Sequence, residues 1–146
     1  MDAAELLVGD DVFVIDASAW WRLLSLPDDL GHLMREAVRA DRMAITPVVR
    51  LEVLYSARTR DEFEAFEHDL DALRLLRNDR AVADAATTAV RELSERSDGY
   101  HRVPVTDVLI AAAAAEYGGF AVLHRDVHFD RLAEVLAFTS VTLPVP

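Results

Sequence analysis

The sequence predicts an α/β fold, with a central, mostly parallel β-sheet flanked by α-helices on both faces. Short apolar runs of strand length alternate with longer segments of helical periodicity, which is the pattern of consecutive βαβ units. The chain has 146 residues, about the size of one domain, and 52% of them are hydrophobic, which suffices for a sizeable core. We therefore expect one domain over residues 1–146, with its core over about residues 12–141.

The first half of the chain carries clear start signals for its strands and helices. The run Val12-Phe13-Val14-Ile15 is β-branched and aromatic, which favours a strand. Thr46 followed by Pro47 is typical of a helix start, because Thr caps the helix and Pro is tolerated in its first turn. Thr59 or Asp61 caps a later helix. The elements predicted here are a strand over 12–15, helices over 17–26 and 27–38, a strand over 43–45, and helices over 46–57 and 59–70.

The second half continues the alternation and contains an alanine-rich helix. Five consecutive alanines at 111–115 predict a thin helix that packs closely against its neighbours. Gly118-Gly119 predicts the end of that helix, because glycine is favoured just past a helix C-terminus. The elements predicted here are a strand over 73–76, a helix over 79–96 that ends at 97–99, a helix over 108–117, a strand over 120–123, a helix over 126–136 and an edge strand over 138–143.

The composition excludes several classes of site. The chain has no cysteine, so disulfides, thiolate zinc sites, iron–sulfur clusters and cysteine nucleophiles are ruled out. All 15 basic residues are arginine, so a Walker A loop and Schiff-base chemistry, which need lysine, are excluded as well. The net charge of −11 disfavours non-specific binding to a polyanion, because such binding depends on basic residues that neutralise phosphates.

The sequence also predicts a cytoplasmic location and no membrane contact. Residues 1–11 contain acidic residues and no basic one, which does not fit the basic start of a signal peptide. No apolar run approaches the roughly 18 residues that a membrane span requires. The lack of cysteine fits a reducing compartment.

Three aspartates stand at junctions where a strand is expected to lead into a helix. Asp16 follows the strand over 12–15, Asp126 follows the strand over 120–123, and Asp107 stands at the start of the alanine-rich helix. Each one alone could cap a helix or favour its dipole. Together they would converge on the edge of a parallel sheet where the carboxyl ends of its strands bind ligands.

Glu52 is the only acidic residue in the largely apolar helix predicted over 46–57. Its neighbours one helical turn away are apolar, which predicts that the carboxylate is buried. A buried carboxylate requires a cation or a network of hydrogen bonds. An ion pair with Arg50 or Arg58 would meet this need, and so would a site shared with the three aspartates.

Converging carboxylates repel one another unless a cation lies among them. Mg²⁺ and Mn²⁺ prefer oxygen ligands in octahedral geometry, and a site of this kind suits phosphodiester hydrolysis. An aspartate after the first strand also suits an aspartate-nucleophile phosphotransferase. However, the segment Asp16-Ala17-Ser18 lacks the second acid of such enzymes and the chain lacks their lysine.

Four segments together carry a family resemblance. They are VIDASAW with Asp16, VVRLEVLYSAR with Glu52, VPVTDVLIAAAA with Asp107 and VLHRDVHFDRLA with Asp126. In this order they resemble the PIN-domain proteins, and most closely the VapC toxins of bacterial VapBC toxin–antitoxin pairs, over about residues 12–141. The resemblance implies a single PIN-like domain and a Mg²⁺-dependent endoribonuclease, with Mn²⁺ as the alternative ion.

The resemblance also assigns roles to individual residues. Asp16, Asp107 and Asp126 match positions that hold the metal, and Glu52 matches a helix-borne acid that acts through water. This acidic quartet is the expected catalytic set. Ser18 matches a hydroxyl position beside the first aspartate and is expected to support it.

His128 departs from the family pattern, because many relatives carry an acid at this position before the phenylalanine. A histidine could bind Mn²⁺ better than Mg²⁺, could contact a phosphate, or could simply face solvent on its helix. The departure leaves open whether a second metal ion binds. Asp130, one helical turn after Asp126, could partly replace the missing acid.

An RNA substrate would require cationic and aromatic side chains around the site. Tyr100 lies among basic groups in the loop over 96–102, where its ring could stack on a base. The candidate RNA-binding residues are Arg22, Arg58, Arg60, Arg125, Tyr100 and Arg102.

The resemblance further implies a homodimer and a cognate VapB-like antitoxin whose C-terminal segment covers a groove on the toxin. Trp20 and Trp21 are adjacent on a helix, so we expect one in the core and the other at an interface. The alternative function is a non-catalytic PIN-like module that binds RNA or an antitoxin without cleavage. A metal-binding assay with Asp16→Asn as the control, carried out beside a cleavage assay, would distinguish the enzyme from the binding module.

Overall fold

The fold is built around a five-stranded sheet. The computed structural model describes residues 1–117 and 120–144. The strands are β1 (Phe13–Ile15), β2 (Met43–Ile45), β3 (Arg74–Leu75), β4 (Ala121–His124) and β5 (Thr139–Thr142). The helices are α1 (Ala3–Val8), α2 (Ala17–Trp20), α3 (Asp28–Arg39), α4 (Pro47–Tyr55), α5 (Arg60–Asp71), α6 (Arg80–Arg96), α7 (Val105–Glu116) and α8 (His128–Leu132), and a 3-10 helix covers Leu23–Ser25.

The order of the strands places two of the acidic junctions side by side. The strand order is β3-β2-β1-β4-β5 and every pairing is parallel, which confirms the predicted fold class. The chain adds β2 and β3 on one side of β1, then crosses back and adds β4 and β5 on the other. The carboxyl ends of β1 and β4 therefore meet where the strand order reverses, which is the usual ligand site of open α/β sheets.

Both faces of the central strands are covered. Every residue of β1, β2 and β4 is buried, and successive side chains of a strand point to opposite faces of the sheet. Phe13 is fully buried, and burial of a side chain of this size stabilises the fold by about 1.5–3 kcal/mol. β3 and β5 form the two edges, which confirms the predicted edge position of the last strand.

α7 packs closely against its neighbours because its buried side chains are small. The four alanines at 111–114 are buried, and the helix contacts α4, α6, α8, β1 and β4. It begins at Val105, three residues before the predicted start, because Pro104 supplies the φ of a helix N-terminus. Asp107 therefore lies within the first turn of α7, where the helix backbone fixes its position.

Two helices are shorter than the sequence predicts. α2 ends at Trp20 instead of at residue 26, and a turn and the 3-10 helix follow it. Leu26 is extended because it precedes Pro27, which disfavours helical backbone in the residue before it. α8 ends at Leu132 instead of at residue 136; it lacks a side-chain cap at Val127, and turns continue the segment.

α1 was not predicted, although its signals are present in the sequence. Asp2 and Glu5 form a capping box, and Leu6 and Leu7 are buried on one face. Arg42 donates hydrogen bonds to the carbonyl oxygens of Leu6 (2.8 Å) and Leu7 (3.0 Å), which ties the C-terminus of α1 to the residue before β2.

The two adjacent tryptophans divide as expected between core and surface. Trp20 packs against the core, whereas Trp21 is 44% exposed and meets Phe66 edge to face, with ring centroids 5.6 Å apart. Both tryptophans line an apolar groove of about 450 Å³ together with Phe66 and Leu73. The predicted helix end at Gly118-Gly119 lies outside the described residues.

Among residues 1–117 and 120–144, no helix combines the length and the apolar character that are needed to cross a lipid bilayer.

Candidate active site

Asp107, Asp126 and His128 converge beside the carboxyl end of β4. One ligand atom from each lies within 4.8 Å of the other two, and no other group of three potential metal ligands does so within the described residues. His128 Nδ1 lies 2.6 Å from Asp126 Oδ1 and 3.5 Å from Asp107 Oδ2. The Asp126 carboxylate also accepts the backbone N–H of His128 at 3.0 Å, so it shapes the turn that leads into α8.

Two atoms of this cluster are buried without a hydrogen-bond partner. Among the described residues, neither Asp107 Oδ2 nor His128 Nδ1 has one, although His128 Nδ1 lies 2.6 Å from Asp126 Oδ1. An unpaired buried polar atom costs roughly 1–3 kcal/mol. Two carboxylates and an imidazole nitrogen that face a common point are a donor set that fits a divalent cation.

The pKa values in the cluster are those of crowded carboxylates. Burial, followed by the negative charge of Asp126 and that of Asp16, raises the pKa of Asp107 to about 7. Burial likewise raises the pKa of Asp16. Burial also acts to raise the pKa of Asp126, but the backbone N–H and the ring of His128 outweigh it and lower that pKa. A cation at this point would offset the repulsion between the carboxylates.

Asp16 joins the site from the end of β1 and is 4% exposed. Its carboxylate caps α2 by accepting the backbone N–H of Ala19 at 3.0 Å, and it accepts the Ser18 hydroxyl at 2.8 Å. Ser18 Oγ in turn accepts the backbone N–H of Arg125 at 3.0 Å, which links the ends of β1 and β4. Asp16 is therefore a helix cap and a neighbour of the cluster at once, although it lies outside the group of three ligands.

Glu52 is exposed, contrary to the burial that its apolar neighbours predict. Leu51 (66% exposed) and Tyr55 (91% exposed) lie on the same uncovered side of α4, so the apolar pattern there does not mark a buried face. Partial burial raises the pKa of Glu52, without a contribution from the three aspartates. The expected ion pair with Arg50 is absent from the described residues, since Arg50 binds Asp71 at 2.8 Å.

We expect Glu52→Gln to leave the stability of the fold unchanged within about 0.5 kcal/mol, as for surface substitutions that break no contact. The reason is that Glu52 forms no ion pair or hydrogen bond with a described side chain. Thermal unfolding of the two proteins, side by side, checks this. A clear loss of stability would mean that the carboxylate is held by a contact, and any loss of cleavage could then be structural.

Asp130 does not join the cluster around Asp126. Its carboxylate accepts the hydroxyl of Ser140, a residue of β5, at 2.7 Å. The structure therefore does not bring this carboxylate to the position of the acid that His128 replaces.

Comparisons with known proteins identify the family. A model of the PIN domain matches residues 13–135, which include all four acidic residues of the predicted quartet. The chain belongs to the PIN-domain family. Among curated PIN-domain relatives, Ribonuclease VapC18 of Mycobacterium tuberculosis is 34% identical over 125 residues, which are 85% of this chain and 89% of the relative. Ribonuclease VapC51 of the same organism is 37% identical over 114 residues, 73% of this chain and 81% of the relative.

Solved structures show the same fold at lower sequence identity. The DNA-bound VapBC from Salmonella typhimurium matches with a TM-score of 0.70 and 18% identity, over 90% of this chain and 98% of that chain. VapBC-1 from nontypeable Haemophilus influenzae matches with a TM-score of 0.71 and 13% identity, over 88% of this chain and 96% of that chain. The sheet and helices described above are thus those of a PIN domain.

Two of the candidate RNA-binding residues of this PIN domain make intramolecular contacts instead of reaching freely into solvent. The Tyr100 hydroxyl donates to Glu134 at 2.6 Å, and the Arg131 guanidinium covers its ring at 4.2 Å from the centroid. Arg125 donates to the carbonyl oxygen of Leu143 at 2.6 Å, which fastens the segment after β5. These contacts favour structural roles for both side chains.

The other candidate cations lie on the surface of the PIN domain. Arg22, Arg58 and Arg102 are exposed, and their side chains make no ion pair with any residue that the structure describes. Arg60 is exposed too, but its guanidinium pairs with Glu64 at 3.1 Å. Arg22, Arg58 and Arg102 are therefore the better candidates for contact with a phosphate backbone.

His124 is a residue of the site that the sequence analysis overlooked. It ends β4, is 1% exposed, and accepts the backbone N–H of Asp126 on Nδ1 at 3.0 Å. The available signal was a histidine in the last position of a buried strand, two residues before Asp126.

Proposed function

We propose that this PIN-domain protein is the toxin of a type II toxin–antitoxin system, and that it is a metal-dependent endoribonuclease that hydrolyses RNA phosphodiester bonds. The observation that carries the proposal is the partly buried cluster of Asp107, Asp126 and His128, where the strand order of the sheet reverses. The names of the relatives, Ribonuclease VapC18 and VapC51, support the substrate and the reaction.

In the proposed site, Asp107, Asp126 and His128 hold the ion. Asp16 adds negative charge from the end of β1. Glu52, which lies on α4, acts through a water molecule. When bound, Mg²⁺ or Mn²⁺ lowers the pKa of a water molecule and stabilises the oxygen that leaves. Ser18 keeps the Asp16 carboxylate and the turn before Asp126 at a fixed separation, through its 2.8 Å and 3.0 Å hydrogen bonds.

We further propose a VapB-like antitoxin as partner, a homodimer as the assembly and the cytoplasm as the location. Support for the antitoxin comes from the structural neighbours, which are VapBC complexes. Trp21 is the residue that we propose for an interface with another protein, because a partly exposed tryptophan is favoured at interfaces.

The proposed activity is tested by incubating the purified protein with total tRNA and rRNA in the presence of Mg²⁺, Mn²⁺ or a chelator. Asp126→Asn serves as the matched control, because it keeps the size of the side chain. We expect discrete products that require a metal ion and that are absent with the control. Calorimetric metal binding without cleavage of any of these RNAs would favour the non-catalytic binding module instead.

His128 is expected to shift the ion preference of the site towards Mn²⁺. Imidazole nitrogen is a poorer ligand for Mg²⁺ than carboxylate oxygen is, so His128→Asp should lower the ratio of Mn²⁺ to Mg²⁺ affinity by about tenfold, or about 1.4 kcal/mol. Calorimetric titration of both proteins with each ion measures this ratio. An unchanged ratio would mean that His128 does not bind the ion.

A further inference from the structure

A chain of hydrogen bonds connects Asp126 to the edge of the sheet. The backbone N–H of Asp126 donates to His124 Nδ1 at 3.0 Å, and His124 Nε2 lies 2.6 Å from Ser140 Oγ. The Ser140 hydroxyl donates to the Asp130 carboxylate at 2.7 Å. The chain thus runs from Asp126 at the end of β4 across β5 to α8, and its other members, His124, Ser140 and Asp130, lie outside the cluster of Asp107, Asp126 and His128.

The directions of these hydrogen bonds fix the tautomer of His124. Nδ1 accepts a backbone N–H, so it carries no proton, and the proton of the neutral ring lies on Nε2. Nε2 then donates to Ser140 Oγ, whose own proton is free to be donated to the Asp130 carboxylate.

The ring of His124 has little freedom to move. It is 1% exposed and lies against the fully buried ring of Phe129, with ring centroids 4.7 Å apart. Its backbone carbonyl accepts the N–H of Leu143 at 2.7 Å, so the residue is also fixed within the sheet. Because the ring is held in this way, its Nδ1 has a fixed position from which it accepts the backbone N–H of Asp126, in the turn before α8.

We propose that His124 is a positioning residue, whose ring sets the place from which the Asp126 carboxylate binds the ion, with Ser140 and Asp130 orienting that ring. The inference rests on the proposed function, because it concerns the metal affinity of that site. Groups that orient a metal ligand typically change metal affinity by 10–100-fold when they are removed. His124, Ser140 and Asp130 would therefore control ion binding without touching the ion.

Two variants separate the hydrogen bond from the rest of the ring. In His124→Asn the amide oxygen takes the place of Nδ1 and still accepts the Asp126 N–H, whereas His124→Leu has no acceptor. Both variants lose the contact with Ser140 and the imidazole that stacks on Phe129. We expect both melting temperatures to fall, while Mn²⁺ affinity of the folded protein falls by about 10–100-fold in His124→Leu and by several-fold at most in His124→Asn.

Calorimetric titration of the full chain with Mn²⁺ decides between the outcomes. Equal affinities in the two variants would overturn the inference and leave the proposed function intact, whereas a wild-type protein that binds no Mn²⁺ would overturn both. Ser140→Ala, at a half-buried position, provides a second measurement if His124→Leu does not fold, and we expect a loss of about tenfold in Mn²⁺ affinity. In addition, the ¹⁵N spectrum of the imidazole must show the proton on Nε2; a proton on Nδ1 would also overturn the inference.

Discussion

Asp107→Asn is expected to abolish cleavage and, at the same time, to make the metal-free protein more stable at pH 8. The substitution removes a carboxylate that we propose as an ion ligand, so we expect cleavage to fall by more than about 100-fold, beyond the 10–100-fold typical of groups that only orient a ligand. The gain in stability has a separate cause. In the metal-free protein the ionised Asp107 is buried beside other carboxylates, which opposes folding.

The pH dependence of stability distinguishes this cause from others. The pKa of Asp107 is raised from 3.8 to about 7 in the folded protein, so between these values the folded state binds more protons than the unfolded state. The contribution of Asp107 to the stability of the metal-free wild type therefore decreases as pH rises through this window, and the loss is complete above pH 7. Asparagine resembles the protonated acid, so the wild type and Asp107→Asn should differ less in stability at pH 5, which lies in the lower part of the window, than at pH 8, where the loss is complete.

Thermal unfolding in a chelator, at pH 5 and at pH 8, measures the effect. One pKa unit corresponds to about 1.4 kcal/mol, and relaxation of the neighbouring charges reduces the full shift, so we expect a gain of roughly 2 kcal/mol at pH 8, or about 6 °C. Saturating Mn²⁺ should stabilise the wild type and not the variant. Equal stability of the two proteins at pH 8 would show that Asp107 is not under electrostatic strain, and undiminished cleavage would contradict the proposed site.

Asp16→Asn and Asp16→Ala are expected to lose cleavage equally but to differ in stability. Asparagine caps a helix about as well as aspartate, so Asp16→Asn should keep the hydrogen bond to the Ala19 N–H and be at least as stable as the wild type, because it no longer buries an ionised carboxylate. Asp16→Ala loses the cap, which costs about 1 kcal/mol. Both remove a carboxylate from the site, and cleavage should fall by more than about 100-fold in each, again beyond the effect of an orienting group.

A cap elsewhere in the fold provides the matched control. Asp79 caps α6 by accepting the Val82 N–H at 3.2 Å, and it lies outside the cluster. We expect Asp79→Ala to lose stability, as Asp16→Ala does, and to retain cleavage. If Asp16→Asn still cleaves RNA, Asp16 has only a structural role. The same conclusion follows if cleavage by Asp16→Asn, Asp16→Ala and Asp79→Ala falls in proportion to their loss of stability.

The sequence predicts much of the fold because its strands are short, buried and bounded by strong signals. Met43–Ile45 is found with the predicted bounds, and Thr46 and Thr59 cap the helices that follow them. Asp16 and Asp126 could be placed together because parallel strands bring their carboxyl ends to one edge of the sheet. The order of the strands, which makes β1 and β4 neighbours, was not predicted, because local sequence patterns do not specify which strands pair.

Other features depend on which surfaces are covered, and local patterns do not reveal that. The apolar residues around Glu52 suggested burial, but Leu51 and Tyr55 face away from the core. Tyr100 stands among basic residues in the sequence. Only the tertiary structure shows that Arg131 covers its ring and that Glu134 accepts its hydroxyl. The role of His124 depends on Ser140 of β5, 16 residues further along the chain.

The hydrogen bond from the Arg125 N–H to Ser18 Oγ joins residues 107 positions apart. Contacts between such distant segments form late in folding, because a long loop must close before they contribute any stability. Asp16 and Asp126 follow strands that are far apart in the sequence, so the proposed ion site cannot form until β1 and β4 have paired. An ion that binds there would therefore stabilise the assembled sheet and not a partly folded chain.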